Sequence, residues 1–487
     1  MESIQHLKPH PIWKNFYSLT RIPRPSGMEA EVREFICSFS AGLGLETFVD
    51  GSGNVVVRKP ATPGMEERKG VILQAHLDMV PQKNSGKVHD FRLDPVETIV
   101  EGDWVCADGT TLGADNGIGV AAAMSVLEAE DIRHGPLEAL FTVDEESGMS
   151  GASGLKPGVL HGEVLLNLDS EDEGELFIGC AGAMNASFSF SFAGERVPDG
   201  HQGYRISVTG LKGGHSGMDI HLGRGNANKI MNRLLHHAFL HHGLRLASIE
   251  GGSLRNAIPR ESFAHIAIPG ERSEDFLGDF RVQAGLIQSE FILADPDLQI
   301  EAVPQEPPET VLDEKSISGF LKAVHACPDG VIRMSGEMAG LVETSNNLAI
   351  VKSAEDSIIV DCLLRSSVDS AKDDLLLMMQ SIFELAGAMP SFSGGYPGWK
   401  PDRGSPVLKT MQQVYERVFG ESPRVSAVHA GLECGLIGAA YPGLDMISFG
   451  PTIRYPHSPG EKVHIGSVGK FWTFLVETLG SIPFRER

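Results

Sequence analysis

The first part of the chain alternates short apolar runs with longer amphipathic ones. Between residues 28 and 42, Val32, Phe35, Ile36 and Phe39 recur at the spacing of one helix face. "NVVVRKP" and "GVILQAHLD" predict strands, and the continuous apolar run of the second suits a strand buried on both faces. "NGIGVAAAMSVLEAE" predicts a helix that packs closely through its small residues, and "LEALFTVDEE" and "GEVLLNLDSED" predict two more strands. Strands alternating with helices imply βαβ units, hence an α/β domain with a mostly parallel sheet sandwiched by helices.

Near residue 184 the pattern changes. "AMNASFSFSFAG" and "GYRISVTGLKGG" alternate with period two, as strands with one wet face do. "GRGNANKIMNRLLHHAFLHH" predicts a helix, and "SFAHIAIPG" and "SIIVDCLLRSS" predict further strands, each leading into a helix. This block reads as an inserted α+β domain over residues 184–391. The Pro-, Gly- and Ser-rich "AMPSFSGGYPGWKPDRGSP" reads as the linker back. "PVLKTMQQVYERVFG" and "SVGKFWTFLVETLGSI" predict helices, with "RVSAVHAG" and "LDMISFGP" as strands between them. The first domain is therefore split, 1–183 and 392–487, around the insertion. Within the insertion, "RNAIPRESFAHIAIPGERSEDF" and "SNNLAIVKSAEDSIIVDCLLRSSVDSAKDD" echo each other faintly. Chance is the simpler account; a true repeat would make the insertion a doubled unit.

Composition narrows the function classes. Lys and Arg total 41 against 64 Asp and Glu, a net charge of −23 over 487 residues. That balance argues against nucleic-acid and anionic-membrane partners. The opening "MESIQHLKPHPIWKNF" has no apolar core of a signal peptide, and no run reaches membrane-spanning length. The six cysteines are scattered without a C-x-x-C pair, so reduced thiols in a cytoplasmic protein are expected.

Five segments fall at predicted strand ends or in the loops after them: "QAHLDMV", "TTLGADNGIG", "TVDEESG", "LLNLDSED" and "RYPHSPGEKVH". In an open parallel sheet the carboxyl ends of the strands form the ligand crevice. His76 and Asp78 share a face of an extended segment, so Asp78 can orient the His76 ring. Asp115 taken alone reads as a helix N-cap, while Gly113, Gly117 and Gly119 around it would let backbone approach a ligand. Glu171, Asp172, Glu173 and Glu175 after Asp169 read as a solvated loop. His457 lies in a Pro-bracketed loop with Glu461 as a possible supporting partner. Asp144, Glu145 and Glu146 end one apolar strand, where their charges repel unless cations neutralise them. Two divalent ions bring +4 against the −3 of Asp115, Glu146 and Asp169, and His76 and His457 add nitrogen ligands suited to zinc, manganese or cobalt. Asp115 can offer an oxygen to each ion. Glu145 is then left over as a general base for an attacking water.

At these residues the chain resembles the co-catalytic zinc exopeptidases that include glutamate carboxypeptidases and aminoacylases, and among them the aminoacyl-histidine (Xaa-His) dipeptidases. The resemblance runs through "LQAHLDMVPQK", "GTTLGADNGIG", "TVDEESGMSGA", "LLNLDSEDEGELFIGCAGA", "LKGGHSGMDIHLGRGNANK", "NAIPRE", "VHAGLECG" and "PTIRYPHSPGEKV". It implies hydrolysis of dipeptides by two divalent ions, zinc ahead of manganese or cobalt, with C-terminal histidine preferred; the alternatives are a broad dipeptidase, a tripeptidase or an N-acyl amino acid hydrolase of the same family, or a non-catalytic metal-binding scaffold. His76 and Asp169 would hold one ion, Glu146 and His457 the other, with Asp115 between them, Glu145 as base and Asp78 supporting His76. The insertion corresponds to that family's lid. His215 matches a lid histidine that steadies the carbonyl oxygen, Asn256 a lid asparagine near the substrate, and Arg365 an arginine that clamps the substrate carboxylate. Many relatives place that arginine one strand after the asparagine, where this chain has "HIAIPG"; a surface strand arginine is the plainer reading of Arg365. Glu433 is a candidate for the substrate's amino group, or simply a helix-start acid facing the dipole. Such lids often form homodimers, and some borrow a histidine from the neighbour; a doubled lid would make that unnecessary. His237 and His241, four apart in "LLHHAFLHHG", could bind metal, but that helix face offers no acid, so a solvated helix is expected.

Overall fold

The structure is a computed structural model and describes residues 4–485. It divides into two compact units. The first takes residues up to Cys180, Trp399–Ala427 and from Leu432 onward; the second takes Ala181–Gly398 and the short segment Val428–Gly431.

The first unit is built on an eight-stranded sheet. Its order is Glu46–Val49, Val55–Lys59, Leu137–Thr142, Val71–His76, Val164–Asn167, Asp445–Ser448, Glu175–Cys180 and Arg424–Val428. The four middle strands are parallel neighbours. The flanks are antiparallel, because Glu46–Val49 and Val55–Lys59 form a hairpin and Glu175–Cys180 runs against Asp445–Ser448. Parallel character is thus confined to the strands covered on both faces. Val71–His76 and Leu137–Thr142 are buried at every position, the polar Gln74, Glu138 and Thr142 included, as suits mostly apolar strands covered on both faces. The helix Ala114–Glu128 is buried almost throughout, its alanines and glycines letting it lie close to its neighbours. A separate four-stranded sheet joins Thr98–Glu101 and Trp104–Ala107 to the hairpin Ile453–Arg454/Lys462–His464, whose loop carries His457 and Glu461. These strands of two to four residues are too short to show a period in the sequence.

The second unit carries a nine-stranded antiparallel sheet with a doubled topology. One half runs strand His201–Thr209, helix Ala227–His242, strands Arg245–Gly251 and Ser262–Pro269, helix Ser273–Phe291, strand Gln299–Gln305. The other runs strand Gly182–Ser191, helix Glu314–Ala326, strands Val342–Ser353 and Ser357–Ser366, helix Asp369–Leu385, strand Met389–Tyr396. Each half orders its strands fourth, first, third, second, and the two second strands pair with each other. The first half is inserted between the first strand and first helix of the other. The faint sequence echo therefore has a structural counterpart: its third strand and the charged start of the following helix occupy equivalent places in both halves. Its asparagines do not, since Asn256 follows a second strand and Asn346 lies within one.

One expectation is corrected here. Residues 389–396 of the expected linker form an edge strand on Gly182–Ser191. Their glycines and serines are exposed, which is why the stretch resembles a loop in composition. The half containing it closes over Phe188 and Phe383, stacked with centroids 3.9 Å apart. Among the described residues no disulfide forms and no helix is long and apolar enough to cross a membrane.

Candidate active site

In the first unit, three adjacent parallel strands deliver acids and a histidine to one edge. His76 ends Val71–His76, Asp144–Glu146 follow Leu137–Thr142, and Asp169 follows Val164–Asn167. His76 Nε2 lies 3.1 Å from Asp115 Oδ1 and 3.3 Å from Asp169 Oδ1. His457 Nε2 lies 3.2 Å from Asp115 Oδ2 and 3.0 Å from Glu146 Oε2. Asp115 thus turns one oxygen to each histidine. His76/Asp115/Asp169, Asp115/Glu146/His457 and His76/Glu145/Glu146 each bring three possible ligand atoms within 4.8 Å of one another. Among the described residues the buried oxygen Glu146 Oε1 has no hydrogen-bond partner, and Asp169 Oδ1 has only the His76 ring nitrogen near it. Unpartnered carboxylate oxygens facing imidazole nitrogens are what a cation site requires, so the donor set fits divalent metal ions.

The three consecutive acids do not converge. Asp144 takes a left-handed backbone with φ 58° and turns its side chain to the Ser150 hydroxyl, leaving Glu145 and Glu146 at the site. Asp78 holds that turn, accepting from the backbone N–H groups of Glu145 and Glu146 at 3.0 and 3.1 Å. Its Oδ1 also lies 3.4 Å from His76 Nδ1. One carboxylate therefore sets both the His76 ring and the placement of the two glutamates.

Asp115 is not a helix cap. The helix begins behind Gly113 with no side-chain cap, and Asp115 has non-helical backbone and a cis bond to Asn116. Its loop is held from two sides by residues that the sequence reading missed or misassigned. Glu461 is not a partner of His457. Its carboxylate instead accepts from the backbone N–H groups of Leu112, Gly113, Ala114 and Asp115, at 2.7 to 3.2 Å. Arg24, 2% exposed, donates to the carbonyls of Leu77, Asp78 and Gly113. The glycines make room for protein rather than ligand. A Cβ at Gly113 or Gly117 would come within 2.6 Å of the Arg24 guanidinium, and one at Gly119 would strike the Asn116 side chain. Arg24 carried no motif; its signal exists only in the glycine spacing.

Charge at this edge is unbalanced. Burial lifts Asp169 to about 7, against the pull of His76 and with Asp115 and Glu146 adding to it. Burial raises Glu145 well above its ordinary value, opposed by His76 and reinforced by Asp169, Glu433 and Glu146. Glu171 rises to about 9 through burial and then Asp115 and Asp169, so it is no solvated residue. The acids beyond it are also partnered: Asp172 with Arg454, Glu173 with Lys470 and Tyr415, and Glu175 with Arg424. His457 climbs to about 11 through its hydrogen bonds to Asp115 and Glu146. Three acids raised toward neutrality and a histidine raised toward charge mark a site short of positive charge.

Glu433 does not face outward to receive an ammonium group. It is wholly buried, and its Oε2 accepts from Gln74 Nε2 at 2.6 Å and Thr142 Oγ1 at 2.7 Å. It stands first in the helix Glu433–Ala440, and its Oε1 has no hydrogen-bond partner among the described residues.

In the second unit, His215, Asn256 and Arg365 meet around Ser216. The Gly214–His215 strand pairs with Ala257–Ile258, and Ser216 N–H donates to the Asn256 carbonyl at 2.8 Å. Arg365 Nε lies 3.4 Å from Ser216 Oγ and Nη1 3.4 Å from the Tyr396 hydroxyl. Arg365 is 5% exposed rather than a surface residue, and no carboxylate pairs with it among the described residues. A buried guanidinium without a counter-charge suits an anionic ligand.

A family model for peptidase family M20/M25/M40 matches residues 72–480. The chain is 45% identical over 483 residues, 99% of its length and 100% of the relative's, to the cytosol non-specific dipeptidase of Escherichia coli (strain K12). The chain belongs to peptidase family M20/M25/M40. The crystal structure of aminoacylhistidine dipeptidase from Vibrio alginolyticus superposes with a TM-score of 0.95 at 46% identity, covering 100% of this chain and 99% of that one. The aminopeptidase PepT of Bacillus cereus, 17% identical and covering 98% and 99%, shares the fold with a TM-score of 0.61.

This M20 peptidase has a further buried group beside Arg365 that sequence reasoning passed over. His429, in the quoted "VHAGLECG", places Nε2 2.7 Å from the hydroxyl of Ser345, the residue paired with Arg365 across the strands. Burial, and then Arg365 and His215, hold its imidazole down to about 3 from an ordinary 6.5. A depressed histidine contributes stability above its unfolded value, and that stability is lost as pH falls from about 6.5 toward 3. The contribution is on the order of a few kcal/mol. His429→Gln should therefore flatten the acid side of the stability profile. Thermal unfolding between pH 7 and pH 4 should show a smaller loss of Tm in the variant than in the parent; equal losses would remove His429 as the cause.

Proposed function

We propose that this M20 peptidase is a cytosolic metallodipeptidase, with C-terminal histidine preferred among its substrates. The observation that carries the reading is the two-sided Asp115, with one oxygen toward His76 and the other toward His457. The Escherichia coli relative, a cytosol non-specific dipeptidase, and the Vibrio alginolyticus aminoacylhistidine dipeptidase support a dipeptide substrate, and the first of them a cytosolic location. His76 and Asp169 would hold one divalent ion and Glu146 and His457 the other, with Asp115 serving both. Zinc is the first choice for this nitrogen and oxygen set, with manganese and cobalt as alternatives. When bound, the ions supply the positive charge that polarises the scissile carbonyl and lowers the pKa of the attacking water.

The chain's own residues do the rest. Glu145 takes a proton from the water and passes it to the leaving amine nitrogen. Asp78 keeps the His76 ring oriented and fixes the backbone that carries Glu145. The resemblance assigns His215 to the developing oxyanion, Asn256 to the substrate backbone and Arg365 to the substrate's free carboxylate. The unpaired charge of the Arg365 guanidinium supports the last assignment.

Glu145→Ala should keep its metal content and lose about 100- to 10,000-fold in kcat. Metal analysis alongside turnover reads both quantities, and near-normal turnover would exclude Glu145 as the base. Arg365→Ala should raise KM roughly 10- to 100-fold for dipeptides with a free carboxylate and much less for their amides. Equal effects on both series would reject the clamp. For specificity, kcat/KM for β-Ala-His, Gly-His, Leu-Gly and Ala-Ala with zinc, manganese and cobalt is expected to rank the histidine peptides first; a flat ranking favours the broad dipeptidase.

A further inference from the structure

The helix Ala227–His242 closes with His236, His237, His241 and His242, and the sequence offers no acid on its face. The fold supplies one from a different helix. Asp279, on Ser273–Phe291, lies with Oδ2 2.6 Å from His237 Nε2 and 2.9 Å from His242 Nε2. The three ligand atoms all lie within 4.8 Å of one another.

The arrangement is not what a regular helix gives by repetition. Residues five apart lie about 140° around a helix axis from each other. His242 is the last helical residue, followed by Gly243 with φ 68°, and at this closing turn its ring reaches the oxygen that His237 also reaches. Two imidazole nitrogens crowd one carboxylate oxygen, and Asp279 has no lysine or arginine partner among the described residues. The ring of His241 lies beside that of His237, centroids 4.6 Å apart, and offers a further imidazole at the rim. The His237, His242 and Asp279 side chains are 30%, 11% and 33% exposed, so an ion from solvent can reach them.

We propose that His237, His242 and Asp279 form a binding site for a divalent first-row transition ion in the second unit. Two imidazoles and one carboxylate are the ligand chemistry of zinc, cobalt or nickel rather than of calcium or magnesium. The ion joins the carboxyl end of one helix to the middle of its neighbour in the same half of the doubled sheet. It shares no residue with the pair of ions proposed for the active site, so it is a structural clamp and not part of the reaction.

The test uses the full chain, stripped with chelator and equilibrated with micromolar zinc. Bound zinc per chain is counted for the parent and for a His237→Gln/His242→Gln double variant. The parent should hold one more ion per chain than the variant, whatever the number bound at the active site. Equal counts overturn the proposal. A second measurement needs no variant: diethyl pyrocarbonate labelling of the parent, mapped by mass spectrometry, should modify His237 and His242 at least tenfold more slowly with zinc than without. Unchanged labelling rates overturn it as well.

Discussion

Carboxylates brought together at the ends of adjacent strands repel one another, and that repulsion is the constraint around which the first unit is organised. Asp115, Glu145, Glu146 and Asp169 arrive from two parallel strand ends and one glycine-rich loop, and among the described residues two imidazoles stand with them. Burial removes the water that would otherwise screen their charge. Glu145 and Asp169 are raised and the two histidines pulled up together, which is the signature of a site completed by cations. A fold that needed only stability would have placed apolar residues at these strand ends.

Holding such a site open requires structure with no chemistry of its own. Asp78 ties the turn carrying the glutamates to the strand carrying His76. Glu461 gathers four backbone N–H groups of the Asp115 loop, and Arg24 gathers three carbonyls around the same loop. These two buried ions of opposite sign brace one backbone segment, with glycines thinning it so that the guanidinium fits. The second unit uses a similar economy. Its two halves repeat one strand and helix order, and the segment around Ser216 and Ser345 gathers two histidines and an uncompensated arginine.

Much of the fold class was legible in the chain. Mostly apolar runs marked the central strands, and small residues marked the buried helix Ala114–Glu128, because burial on all sides leaves few polar positions to interrupt the pattern. The edge strand Met389–Tyr396 escaped because an exposed strand of serine and glycine has a loop's composition. The small sheet carrying the His457 loop escaped because strands of two to four residues are too short to show a period. The doubled topology of the second unit left only a faint echo, since packing constrains volume and polarity more than residue identity.

At the candidate site, the nominated residues His76, Asp115, Glu146, Asp169 and His457 were visible because metal chemistry restricts which side chains can serve. Their types and the motifs around them were determined by the sequence alone. What only the tertiary structure decided was every relation between distant segments. Asp144 turns away, Glu433 is sealed inside, Glu461 braces a loop instead of a ring, and Asp279 reaches the histidines of another helix. Side-chain chemistry is written in local residue types, whereas electrostatic pairing depends on distance in space, and the folded chain sets that distance.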